Sequence, residues 1–593
     1  MIAIGVVLLI LIAALYYEAP KLIGPHTSAS STYDSALDYP GEYGNADNWA
    51  LSANTGIPAS NASVLSEKAF NGFPMQTTPF LQGGSGRQVA LGGISYIANA
   101  GNYELYGMNI ETQTEIFDTP LPNAPNESLP SVAPLFHTAT TGQIGGSPLV
   151  WVSTPWDGVY SFTTIQGIVD HQFNLTVPAV GSDGNRGAYS VAAPEFGIDQ
   201  SRSIIITGLS VNTTGTPGRG FVEGWKISGK TASSIWTTYL SPPQDGSNPQ
   251  WEAAQVNSTP HLWEFDGTTA VDLKALPAST LQSIISGDWS SQSGNAIFST
   301  GPEANSTWLV DAANDTTYIS TSSPLPVSYS NSFNGPGLFS SSVVALNTTS
   351  GSILWSFQVT PHDVWGWGCK GNIAMLQATI GGTQRQVIAK ACENGYLFLL
   401  NPSSGALLYS GQVPGVVRAN GAHLLNVQNQ SAMHASLASL TGGRPTQNPA
   451  VAYGTNIAYD QDNGLLLGAV GKWGNPLGGL PSNSTGQGAP WNSTVWAFDL
   501  VKQTFAWQSQ VPNQEFSYIG TSNGVAYLGT YQGEIYVGAS KTGSALEDIH
   551  VALGVSSLLV TNGVHGQPGL VVVGFSVNTK QQVQMELFTP GGR

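Results

Sequence analysis

The stretch Val343-Val344-Ala345-Leu346-Asn347-Thr348-Thr349-Ser350-Gly351-Ser352-Ile353-Leu354-Trp355-Ser356-Phe357-Gln358-Val359-Thr360-Pro361-His362-Asp363-Val364-Trp365 sets the pattern of the whole chain. An apolar strand ends on small residues, a polar turn closes on Gly351, and a second apolar strand runs through Trp355. The same pattern returns at 495–511, with Trp507 in the tryptophan position, and at 220–240, with Trp236 there. Weaker copies cover 105–121, 158–175, 396–413 and 534–551. Two short strands joined by a polar turn and repeated at roughly fifty-residue spacing indicate a propeller rather than a sandwich or a solenoid. Each copy is then the outer hairpin of a four-stranded blade, and its tryptophan wedges between neighbouring blades. Seven copies fit seven or eight blades. No long stripe of helical period follows the N-terminus, and 70 Gly and 36 Pro punctuate the chain throughout.

A closed ring of blades can absorb 593 residues into one domain, here residues 45–593. Charged residues make up only 9% of the chain, against roughly 25% in an ordinary soluble domain. Lipid burial does not account for this, because no apolar run beyond the first 17 residues approaches the ~18 that span a bilayer. The formal charge is −17 at pH 7. In strong acid the carboxylates would be neutral, and the 19 Lys and Arg with 9 His would leave about +28. That charge is modest for the length, so the composition reads as acid-tolerant. The same shortage of basic residues excludes a nucleic-acid partner.

Residues 1–17 are almost wholly apolar and read as a signal peptide or an uncleaved membrane anchor, the chain's single membrane contact. Residues 18–44 form a tether, Ser/Thr-rich at 26–32. Either reading exports the remainder, to the cell surface or beyond. Asn-x-Ser/Thr acceptors such as Asn61, Asn126, Asn347 and Asn492 agree with export and would accept N-glycans, although chance supplies many of them in a chain so rich in Asn, Ser and Thr. The two cysteines, Cys369 and Cys392, flank segments that read as a hairpin, and an oxidising exterior favours a disulfide over two buried thiols.

The 343–365 segment, with its Thr360-Pro361-His362-Asp363-Val364-Trp365 string, resembles the blade-closing segment of pyrroloquinoline-quinone (PQQ) dehydrogenases. The resemblance covers most of residues 45–580 and is strongest over 220–401. It implies an all-β, eight-bladed propeller closed by both termini, with Asn48-Trp49-Ala50-Leu51 as first strand and seven blades as the alternative. It also implies a Glu, an Asn and an Asp that bind calcium beneath the quinone. Aligned by neighbourhood, those positions hold Gly215, Ser323 and Pro336, none of which supplies charge to a cation that takes 6–8 oxygens. Glu393 stands where the family places a cation, and the family's adjacent-cysteine disulfide is absent. The expectation is therefore a propeller without PQQ, calcium or any other cofactor or metal.

A propeller of this kind, cofactor-free and exported into acid, resembles the tetrathionate hydrolases of acidophilic sulfur oxidisers. That resemblance implies hydrolysis of a small anionic substrate and a homodimer. A base working in acid must be a carboxylate, since histidine is protonated there. Asp363, between His362 and Lys370, is the first candidate for activating water, and Glu393 is the second. Cations that would bind the anion are His362, Lys370, Lys390, Arg418 and Lys472, the last beside Trp473 in a Gly-bracketed loop. For each, a structural or solvated role is the competing reading. Two other functions stay open: a PQQ-dependent alcohol dehydrogenase-like oxidoreductase with a displaced site, and a non-catalytic surface or scaffold propeller.

Overall fold

The structure, a computed structural model, describes strands and tight turns between residues 65 and 590. Residues 1–64, 77–87, 123–139, 175–196, 210–219, 241–258, 280–307, 325–335, 416–451 and 473–491 are the long stretches outside it. The expectations for segments 1–17 and 18–44 and for a strand at Asn48-Trp49-Ala50-Leu51 fall there. The described strands form sheets of four or more strands, each built almost wholly of antiparallel neighbours in chain order. In that order we number them I (88–120), II (140–174), III (197–239), IV (309–358, with 259–272), V (374–412), VI (452–512), VII (515–550) and VIII (554–590, with 65–76). The architecture is an all-β propeller.

Each of the seven repeat copies is a hairpin of one sheet, from I to VII, outermost in every sheet but IV. In sheet IV that hairpin is Ser342–Asn347 against Ile353–Gln358. Its turn is an Asn347–Gly351 loop closed by Gly351 N–H donating to Asn347 O at 2.8 Å, with Gly351 at φ 71°. Sheets V and VII repeat the same turn at Asn401–Gly405 and Ala539–Gly543. Sheet VI does so at Asp499–Gln503, where a non-glycine takes φ 55°. A residue without Cβ occupies this position at little cost, and here it has a second use, because the preceding sheet's aromatic lies directly on it. A Cβ on Gly405 would lie 2.5 Å from Trp355 Cε3, and one on Gly351 would lie 2.4 Å from Trp236. Trp355 Nε1 then donates to Pro402 O at 2.8 Å, Trp236 Nε1 to Thr348 O at 3.0 Å, and Trp507 Nε1 to Ser540 O at 2.9 Å. In sheet II the tryptophan position holds His171, whose Nε2 pairs with Gly229 O of sheet III at 2.7 Å.

These contacts link each sheet to its successor. Between them lie apolar layers, such as Val343, Trp355 and Phe357 of sheet IV against Ile388, Tyr396 and Phe398 of sheet V. Strand Gly554–Val564 of sheet VIII returns to Gln88–Leu91 of sheet I, which completes the circuit. Sheet VIII itself joins the two ends of the described chain: Leu65–Lys68 pairs antiparallel with Gln582–Pro590, Leu65 opposite Pro590. Sheet IV is further widened by the hairpin Thr259–Glu264/Thr269–Asp272, whose first strand pairs in parallel with Ile353–Gln358. His261 of that hairpin reaches Ser404 O of sheet V at 2.8 Å.

Candidate functional site

Polar residues sink into the interior at one end of sheets IV and V. Past Ser320 the chain carries Thr321, Ser322 and Ser323, and it returns through Pro336 to the run Ser340-Ser341-Ser342. Ser320, Thr321, Ser340, Ser341, Ser342, Gln358 and Thr360 are all buried. Burying so many hydroxyls is unfavourable unless each finds a partner, and most do. Ser341 N–H donates to Ser322 O at 2.8 Å and Ser342 N–H to Thr321 Oγ1 at 2.9 Å.

One side chain organises the 336–340 turn. Gln358 Nε2 donates to Pro336 O at 2.8 Å, Gly337 O at 2.9 Å and Ser340 O at 3.1 Å. The turn needs that help, because Phe339 sits at φ 71° and Ser341 at φ 44°, a left-handed conformation costing roughly 1–2 kcal/mol for a residue with a Cβ. Backbone strain of this kind concentrates at functional sites. On the other side of Gln358, Oε1 is buried without a hydrogen-bond partner, as are Thr360 Oγ1 and Ser320 Oγ.

Asp363 lies beside this turn, 2% exposed, and accepts a hydrogen bond from Ser341 Oγ at 3.0 Å. Beyond it, Trp367 and Cys369 are buried, and Cys369 is disulfide-bonded to Cys392, with their Cα atoms 4.6 Å apart. Cys392 opens the turn Cys392-Glu393-Asn394-Gly395, which joins Thr383–Ala391 to Tyr396–Leu400. Glu393 N–H donates to Gly368 O at 3.3 Å, and Asn394 Nδ2 donates to Val359 O at 2.9 Å. Lys390 is fully buried, with Nζ donating to Gly371 O at 2.8 Å and Asn372 O at 3.3 Å. Asn372 passes the connection on to sheet VI, exchanging hydrogen bonds of 2.8 Å with Ile457 N and O.

Four of the residues singled out in the sequence therefore gather along one connection and one turn: Asp363 and Cys369 on the former, Cys392 and Glu393 on the latter, with Lys390 just behind. Lys390 is no solvated surface charge. Lys472 ends strand Leu465–Lys472 in sheet VI, opposite Ala452. His362, Lys370, Arg418 and Trp473 lie outside the described residues, as does Gly215. Ser323 and Pro336 are described, at the polar end of sheet IV. Sequence reasoning passed over Ser341, Gln358 and Asn394, which do most of the holding. The run of three serines abutting the strongest repeat was the available signal.

Residues 260–414, which contain this whole assembly, match the family of glucose/ethanol/alcohol dehydrogenases with a PQQ β-propeller domain. The quinohemoprotein alcohol dehydrogenase ADH-IIG of Pseudomonas putida is 25% identical over 269 residues, 39% of this chain and 36% of its own. The dehydrogenase subunit of the quinone alcohol dehydrogenase of Komagataeibacter europaeus is 30% identical over 135 residues, 23% of this chain and 16% of its own. Matches to the leading curated relatives thus span about a third of their length. Among solved structures, quinohemoprotein alcohol dehydrogenase from Comamonas testosteroni superposes with a TM-score of 0.65 at 17% identity, covering 95% of this chain and 82% of the other. A europium-containing methanol dehydrogenase superposes at 0.62 and 15% identity, covering 93% and 98%. These two establish the fold.

The expectation of a cofactor-free propeller, drawn from Gly215, Ser323 and Pro336, is overturned by this match and by the quinone-dependent relatives. Its physical weakness lies in how such a site is assembled. The ligands come from loops at strand ends, whose lengths drift, so counting back from a strand does not fix which residue fills a position. The described residues fit a polar, oxygen-bound group in kind. They supply the buried carboxylates of Asp363 and Glu393, the Lys390 ammonium, and the unpartnered oxygens of Gln358 and Thr360. Among the described residues no three of His, Cys, Asp and Glu converge to hold a metal by themselves. Tetrathionate hydrolysis finds no counterpart among these relatives.

Proposed function

We infer, from its membership of the PQQ-dependent-dehydrogenase-like propeller superfamily, that this chain is a quinone-dependent oxidoreductase acting on alcohols. The eight sheets among the described residues are read as eight blades. The observation that carries the reading is the Ser341–Asp363 pair at the strained, oxygen-rich end of sheet IV, within the matched stretch. PQQ, when bound with a divalent or trivalent cation, supplies a two-electron acceptor. The protein must bring an alcohol to it and remove the hydroxyl proton, and Asp363 suits that removal. Its carboxylate is held in one orientation by Ser341 Oγ, and burial keeps water from competing for it. Lys390 offers a fixed positive charge, already braced by two carbonyls, for the acidic groups of the cofactor. Gln358 and Thr360 present oxygens that a cation or a hydroxyl donor would satisfy. Export to an oxidising compartment suits both the cofactor and the disulfide.

The test is titration of the full chain with PQQ and calcium, or a lanthanide, followed by quinone absorbance, alongside alcohol-dependent dye reduction. Saturable binding with dye reduction that Asp363→Asn lowers supports the reading. Absence of both binding and dye reduction in the folded protein would sink it.

A further inference from the structure

The Cys369–Cys392 disulfide closes a loop of 23 residues, and a cross-link of that span stabilises a fold by roughly 3 kcal/mol when the loop is otherwise free. Here the loop is not free. Nearly all of it is the hairpin Ala374–Ile380/Thr383–Ala391, paired in continuous register from Ala374↔Ala389 to Ile380↔Thr383. In the folded state that pairing already fixes Ala374 against Ala389, just inside the cysteines, so the cross-link adds little to the geometry of the hairpin itself, whatever entropy it removes from the unfolded chain. Its effect falls on what lies outside that pair.

Outside it stand two segments. One is the connection from Val359 to Cys369, which carries Asp363; the other is the turn from Cys392 to Gly395, which carries Glu393. That single turn grips the connection at both ends. Asn394 Nδ2 holds Val359 O at 2.9 Å at the near end, and the disulfide holds Cys369 at the far end. The Glu393 N–H to Gly368 O bond beside the disulfide is long, at 3.3 Å, and is a weak tie on its own. Beyond Cys369, Lys390 secures Gly371 and Asn372 independently. The cross-link adds a covalent far anchor for the Asp363 connection beside that long hydrogen bond.

We propose that Cys369 and Cys392 are positioning residues for the site: their disulfide holds the Asp363 connection against the Glu393 turn, and binding at this end of the propeller depends on it. That the ligand is PQQ with a cation rests on the function proposed above. The experiment compares the full-length chain, oxidised and reduced, with Cys369→Ala/Cys392→Ala and with Asn394→Ala, by hydrogen exchange and by PQQ–calcium titration. Expected are faster exchange confined to 359–370 and 392–395 in the reduced and double-substituted proteins, and cofactor affinity weakened about tenfold or more, the range seen when supports behind a binding site are lost. Asn394→Ala, with the cross-link intact, should loosen the same connection from its Val359 end. Unchanged exchange in both segments, or loosening spread through strands Ala374–Ile380 and Tyr396–Leu400, would overturn the proposal. If the oxidised wild-type chain binds no PQQ, the proposed function fails while hydrogen exchange still decides the clamp.

Discussion

At the scale of single residues, buried polar groups carry the functional argument and also set the acid–base behaviour. Asp363→Asn keeps the shape and the Ser341 contact but removes the base, and should lower dye-linked alcohol oxidation by about 10²–10⁴-fold with cofactor binding retained. Glu223 offers an independent check. It is 1% exposed, accepts hydrogen bonds from Ser234 Oγ at 2.7 Å and Thr237 Oγ1 at 3.3 Å, and burial pushes its carboxyl up to about 7. The unfolded chain releases that proton near 4.5, so stability is full below that value and declines as the pH rises toward 7. Glu223→Gln should remove this decline. Relative to wild type, the variant should be more stable at pH 8 than at pH 4.5 by an amount on the order of 3 kcal/mol, read from denaturant midpoints. Asp363 was legible in the sequence because its motif is local. Its partner Ser341, and Gln358, which holds the neighbouring 336–340 turn, were not, since they are brought there by the strand Ser342–Asn347 pairing with Ile353–Gln358, which no single stretch of sequence records.

At the scale of elements, the outer hairpins were legible because each stores its own instructions. The strand–turn–strand pattern, the turn glycine and the aromatic four or more residues later all fall within one short window. What that window does not show is where the aromatic goes, which is onto the glycine of the next sheet. Gly405→Ala should therefore fail twice, by demanding φ 71° of a residue with a Cβ and by placing that Cβ 2.5 Å from Trp355. We expect a loss of about 2–4 kcal/mol, measured by thermal or chemical unfolding. Gly381→Ala, also at positive φ but with nothing near its Cβ, should cost about 1–2 kcal/mol, the conformational part alone. His171 shows the repeat's tolerance: a residue that does not match the pattern still reaches across to the next sheet, through Gly229 O.

At the scale of the molecule, the ring was readable from repetition, and its site was not, because a site built from blade ends depends on loops whose length the repeat does not fix. The three positions read as lost ligands illustrate this. Gly215 lies outside the described residues, Ser323 stands just before a stretch outside them, and Pro336 sits in a turn whose path is set by Gln358 and by positive-φ residues rather than by spacing. The joints between sheets also give the ring a pH response. Arg202 links sheet III to sheet IV, with Nη1 2.7 Å from both Asp199 Oδ2 and Ala312 O and Nε 3.5 Å from Asp315. Burial alone would raise the Asp199 carboxyl, but hydrogen bonds from Ser201 and Arg202 and the guanidinium charge hold it below its ordinary value. Its contribution is present above the unfolded value and lost as the pH falls through the folded one. Arg202→Ala should flatten this acid limb in a pH series of unfolding midpoints. Together with Glu223, this places the most favourable pH for these two groups near 4–5, as judged from ~3.9 and ~4.5 for the unfolded chain. Finally, Leu65–Lys68 completes the sheet that ends with Gln582–Pro590, so partners about 525 residues apart close the circle. At about 5–20 residues per second a ribosome needs roughly half a minute to two minutes to make the intervening chain. Throughout that time Leu65–Lys68 lacks its mate in sheet VIII, and the circuit of described sheets stays open. Guarding that strand during synthesis is therefore a demand that the finished ring no longer shows.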